Sequence, residues 1–115
     1  MKREVVAALL LLVSVMASAQ TTPAKPIRVI VPFGPGGGAS VQARLITDAM
    51  RQDGGRSFVI DNRPGAGGLI GAQMTAEAAP DGATVLFTTS TLAVNTTLFV
   101  DTLRFDPRQI GRAHV

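Results

Sequence analysis

The sequence predicts an α/β fold built on a parallel β-α-β-α-β sheet. Short runs rich in β-branched residues recur three times, at residues 26–33, 57–60 and 83–88. Two segments with helical spacing separate these runs. Each run opens into a Gly-rich or polar loop, the strand–loop–helix order that parallel pairing requires.

The elements follow in order. Residues 1–19 have the form of a signal peptide. Lys2 and Arg3 give a positive start, residues 5–15 are apolar, and Ala17-Ser18-Ala19 fits a small-x-small cleavage site. Cleavage is expected after Ala19. The apolar run is too short for a permanent span and no stop-transfer segment follows it. Residues 20–26 form a polar lead-in, and 26–33 the first strand. Gly34-Pro35-Gly36-Gly37-Gly38 is a loop. A helix follows over about 40–52, with Ser40 as its N-cap. Val41, Leu45, Ile46, Ala49 and Met50 share its apolar face, and Gly54-Gly55 stops it. Residues 57–60 form the second strand, and 61–68 a second Gly-rich loop. A helix over 69–79 ends at Pro80, with a turn at Asp81-Gly82. Residues 83–88 form the third strand, 89–95 a polar loop, and 96–100 about one helical turn. The five Phe residues read as core, except Phe33, which ends a strand beside the first Gly loop.

Composition excludes several functions. The chain has 115 residues, 46% of them apolar, too many for a disordered chain. It has no Cys, which excludes a disulfide scaffold, a zinc-finger site, a Cys nucleophile and an acylated-Cys anchor. One His, His114, stands beside the C-terminus, so a Ser-His-Asp triad has no base. Ser40, Ser90 and Thr91 therefore lack an activating partner. Residues 1–19 hold Lys2, Arg3 and Glu4, and without them the net charge falls from +3 to +2. The remaining charges are interspersed, so no nucleic-acid footprint is expected. Export without a Cys anchor points to the periplasm and to a chain not embedded in the membrane after cleavage.

The last residues are unusual. Ile110-Gly111-Arg112-Ala113-His114-Val115 resembles the in-frame translation of a short-read sequencing adapter. Residues 109–115 are accordingly expected to be foreign, with native sequence ending near Arg108. Three strands in so short a stretch leave a parallel sheet poorly covered, which also suggests part of a longer protein.

The chemistry is expected in the loops that follow the strands, where open α/β sheets bind ligands. The first loop runs from a strand straight into a helix N-terminus. Glycines allow close backbone approach, and first-turn amides point outward unpaired. Such a loop suits a carboxylate or a phosphate. Gly34-Pro35-Gly36-Gly37-Gly38-Ala39 also fits a dinucleotide fingerprint, with Asp61 as the ribose acid. The alternative function is therefore a Rossmann-like dinucleotide-binding oxidoreductase fragment. Against it stand Pro35, which removes an amide donor, a second Gly-rich loop that the dinucleotide fold does not need, and the export signal. No Gly-Lys-Ser/Thr follows the glycines, so a P-loop is excluded.

Three stretches in order carry a family resemblance: KPIRVIVPFGPGGGAS from Lys25, VIDNRPGAGGLIGA from Val59, and AAPDGATVLFTTSTLAVN from Ala78. Together, over residues 23–107, they resemble the N-terminal lobe of the TctC/Bug family, the periplasmic substrate-binding proteins of tripartite tricarboxylate transporters. The resemblance implies a type II periplasmic-binding-protein fold, truncated here to a partial N-terminal lobe over 27–108. It implies a binding protein with no cofactor and no catalysis. The ligand would be a small organic anion, passed to membrane subunits of the transporter. The implied pincer is Phe33, Gly36, Gly37, Gly38, Ala39 and Ser40, chiefly through backbone amides. Thr89, Ser90 and Thr91 form the adjoining wall, and Asn95 falls on an Asn common there. A matching loop of a second lobe completes the site. Where the family often has Asp, this chain has Ser40, which disfavours a ligand with an ammonium group at that point. In the second loop, Arg63 is expected to anchor the backbone through nearby carbonyls, and Asp61 to be a capping or pairing acid.

Overall fold

A computed structural model of the chain describes residues 24–111. The expected signal peptide, its cleavage site and Arg112-Ala113-His114-Val115 lie outside the described residues. The element order is β1 (Ile27–Val31), α1 (Gly38–Gly54), β2 (Phe58–Asn62), α2 (Leu69–Ala76), β3 (Thr84–Leu86) and α3 (Thr91–Leu98). Single 3₁₀ turns occur at Ala66–Gly68, Val100–Thr102 and Pro107–Gln109.

The three strands form one parallel sheet in the order β2-β1-β3. Val29 lies beside Ile60 on one side and Val85 on the other, and Val31 lies beside Asn62. Side chains alternate between the faces. Val29, Val31 and Phe58 therefore share a face, where they form the core with Ala43 of α1. Ile27, Phe33, Ala39, Ile60 and Phe87 pack around that cluster. Ile30 is fully buried on the opposite face, which α2 closes by packing on β1 and β3. Putting β1 in the centre explains why its Val-Ile-Val stretch is apolar on both faces.

Helix α1 packs through a different stripe from the one its hydrophobicity suggests. Ser40, Ala43 and Thr47 are its buried residues, spaced one helical face apart. Val41 and Met50 are about half exposed and Leu45 is 67% exposed. Small residues let the helix axis come close to the sheet, so side-chain size decides the seat and hydrophobicity does not. The helix starts earlier than expected. Its N-cap is Gly37, in an extended conformation and with no side-chain cap. Ser40 is not the cap but lies inside the first turn. At the other end Gly55 takes a left-handed φ of 63°, and its amide donates to the Arg51 carbonyl at 3.2 Å, as the Gly pair predicts.

Other boundaries differ too. Strand β2 continues through Asp61 and Asn62, which the Gly-rich loop had been expected to contain, because both pair with β1. Helix α2 ends at Ala76, before Pro80. Residues Thr91–Leu98 form α3, so Thr91 and Asn95 stand on a helix and not in a loop. Of the five Phe residues, Phe33, Phe58 and Phe87 belong to the core, while Phe99 is about half exposed.

Candidate functional site

Three connections leave the carboxyl end of the sheet. The first is residues 32–37, from buried Pro32 through half-buried Phe33 to the exposed glycines. Gly36 has a φ of 86°, a left-handed conformation that a side chain would strain. The Gly37 amide donates to the Gly34 carbonyl at 3.3 Å, and the Val41 amide donates to the Gly37 carbonyl at 3.0 Å. Among the described residues, the amides of Gly38, Ala39 and Ser40 meet no protein acceptor. The first turn also contains no acidic residue. Three consecutive unpaired donors thus stand at the positive end of a 17-residue helix, beside the end of the central strand. Such an end can hold an anion through main-chain donors.

The third connection, residues 87–90, runs beside the first, since β1 and β3 are neighbours. Thr89 and Ser90 are exposed there, and Thr88 is half-buried. The Thr89 Oγ1 donates to the Thr91 Oγ1 at 3.1 Å, and Ser90 lies at the start of α3, where its carbonyl accepts from the Val94 amide at 3.3 Å. The Asn95 Nδ2 donates to the Gly67 carbonyl at 2.6 Å, which ties α3 to the second connection.

That second connection is built for packing. Gly65, Ala66, Gly67 and Gly68 all have positive φ. The Arg63 amide donates to the Val31 carbonyl at 2.8 Å, and the Gly68 amide to the Gly65 carbonyl at 2.9 Å. The coil places Gly68 and Gly71 directly on Pro32. A Cβ on Gly71 would stand 2.8 Å from the Pro32 Cβ and 3.2 Å from the Arg63 carbonyl oxygen. The second glycine cluster therefore seats α2 against the first connection.

Asn62 is the residue that the sequence reading left without a role. Its Nδ2 donates to the Phe33 carbonyl at 2.9 Å and to the Ser40 Oγ at 3.0 Å. Strand alternation was the available signal. Had the second strand been extended by two residues, Phe58, Ile60 and Asn62 would have fallen on the α1 face.

Asp61 points the other way. Its Oδ2 accepts from the Arg28 Nε at 2.9 Å and also from Arg28 Nη2, and its Oδ1 accepts from the Arg63 Nε at 2.8 Å. Arg63 thus anchors through the Asp61 carboxylate and not through the expected carbonyls. Burial on its own would raise the Asp61 pKa. The hydrogen bonds and charges of Arg28 and Arg63 outweigh burial and hold it below its ordinary value. A ribose-binding acid needs a free carboxylate on the ligand side, and here both oxygens are engaged on the opposite face. The strand order also departs from the 3-2-1 arrangement of the dinucleotide fold.

A cavity of about 460 Å³ lies elsewhere, between α2, β3 and the segment around Ile110. It has no titratable residue in its walls. Among the described residues no group of three or more His, Asp or Glu could hold a metal ion, and no helix is long and apolar enough to cross a membrane.

Residues 42–110 match the family described as "Tripartite tricarboxylate transporter family receptor". Protein BugT of Bordetella pertussis is 47% identical over 83 residues, covering 70% of this chain and 26% of BugT. A solved structure described as a periplasmic transporter is 49% identical, with a TM-score of 0.68, over 76% of this chain and 29% of its own. The structure of MatC from Rhodopseudomonas palustris with bound malate is 43% identical, with a TM-score of 0.52, over 56% of this chain and 22% of its own. The chain thus spans about a quarter of the length of the curated relatives it matches.

Proposed function

This chain belongs to the tripartite tricarboxylate transporter receptor family, and we propose that it supplies part of the first lobe of a periplasmic solute-binding protein for a small organic anion. One observation carries the reading: the unpaired and accessible amides of Gly38 and Ala39 at the start of α1. They are two adjacent main-chain donors in one helical turn, and the helix dipole favours negative charge beside them. A carboxylate accepts through both oxygens and fits such a set. Phe33, Gly36 and Gly37 shape the approach, and Thr89, Ser90, Thr91 and Asn95 form the neighbouring wall. The malate in MatC supports a dicarboxylate as the first ligand to try.

In this reading the ligand is bound and released unchanged. A second lobe provides the other half of the clamp, and ligand shifts an open–closed equilibrium by binding the closed form better. Delivery is to the membrane subunits of a tripartite tricarboxylate transporter. Residues 1–19 act as a signal peptide and are removed after Ala19.

Calorimetry of the full-length protein that carries this segment tests the proposal, with malate and a series of shorter and longer dicarboxylates. Saturable heat is expected with at least one of them. Gly37→Val is expected to abolish it while leaving the thermal midpoint within about 2 °C. The position can accept the change, since Gly37 has a φ of −69° and its Cβ would make only one contact, at 3.4 Å. Unchanged affinity in that variant would remove the first connection from the site.

A further inference from the structure

We propose that Asn62 is a positioning residue that fixes the first connection in the shape presenting the Gly38 and Ala39 amides. The inference rests on the proposed anion site, and it assigns a task to a residue outside it.

The first connection has little to hold it. Four of the five residues from Gly34 to Gly38 are glycine, each with wide conformational freedom. A Cβ on Gly34, Gly36 or Gly38 would touch nothing within 4 Å, so no packing confines them. Within the connection the one hydrogen bond is the long Gly37–Gly34 contact at 3.3 Å. Both flanks, however, are gripped by a single side chain. The Asn62 amide nitrogen carries two hydrogens. One goes to the Phe33 carbonyl, immediately before the glycines, and the other to the Ser40 hydroxyl, two residues after them.

This geometry separates positioning from contact. Both Asn62 donors are spent within the protein, so neither is left for an anion. Ser40 is fully buried, main chain included, so it belongs to the staple, and the amides open to a ligand are those of Gly38 and Ala39. Asn62 is itself fixed by the strand ladder, opposite Val31 of the central strand. The glycine segment is thus a bridge between two points set by one rigid residue. The ordering is done at folding and does not have to be done by the ligand.

The test uses the full-length protein that carries this segment, with Asn62→Ala. Should that variant not fold, Asn62→Asp, close in shape but unable to donate to the Phe33 carbonyl, replaces it. Two readouts are needed. In ligand-free protein, backbone order parameters of Gly36, Gly37 and Gly38 are expected to fall from about 0.85 to below about 0.6, with those of β3 and α2 unchanged. Affinity for the dicarboxylate that the wild-type protein binds best is expected to fall about tenfold or more. Unchanged order parameters would overturn the proposal whatever happens to affinity, since a residue touching ligand directly would lower affinity alone. Lower order parameters with unchanged affinity would overturn it too. If the wild-type protein binds none of the dicarboxylates, the anion reading fails, and the order parameters still decide whether Asn62 holds the connection.

Discussion

Asp61 and Asn62 are neighbours in one strand with separate tasks, because alternate residues face opposite sides of a sheet. Asp61 is the centre of an ion triad with Arg28 and Arg63. Its folded pKa is depressed, so the stability it contributes is present above its ordinary value of 3.8. That stability is lost as the pH falls through the lower folded value. Asp61→Asn is therefore expected to make unfolding less steeply pH-dependent below about pH 4, read from urea midpoints at a series of pH values. An unchanged acid limb would assign the protons to other carboxylates, such as Asp81, which the Ala83 amide and Lys25 also hold low. Pairing at Asp61 was legible in the sequence as a general expectation. Its partner Arg28 was not, since the two are 33 residues apart and only the strand register joins them.

At the level of elements, the contact between α2 and the first connection is a tight constraint set by rigid atoms. Gly71→Ala is expected to destabilise the full-length protein by about 1–3 kcal/mol, read from chemical denaturation. The added methyl group would meet the ring and backbone of Pro32 and the Arg63 carbonyl, none of which is a flexible side-chain end. A neutral result would mean that α2 can ride outward, and that its seat on Pro32 is loose. Strand order along the chain, two crossover helices and the Gly55 stop were all legible, because periodicity and turn chemistry are local signals. The seat of α1 was not. Its hydrophobic stripe pointed to Val41 and Leu45, whereas Ser40, Ala43 and Thr47 face the sheet. The first half of α3 was read as loop, with a helical turn only from residue 96, because Thr and Asn are weak helix formers, and packing against the Ala66–Gly68 turn overrides that preference.

At the largest scale, the described residues form a three-stranded sheet with helices on both faces and a row of loops at one end. The exposed side chains of Val59 and Val85, on its two outer strands, stand where further structure would cover a parallel sheet. If the ligand needs a second lobe, residues 20–108 expressed alone should give no saturable heat with malate under conditions where the full-length protein does. Equal binding by the two would make this lobe sufficient and the clamp unnecessary. In the proposed site the donors at Gly38 and Ala39 are main chain, and a main-chain group is not rewritten by changing a codon. Substitution there can obstruct the anion but cannot give the grip a new preference. Diversification among descendants of such a scaffold must therefore run through side chains, and the exposed hydroxyls of Thr89, Ser90 and Thr91 at the neighbouring strand end can change without disturbing the core.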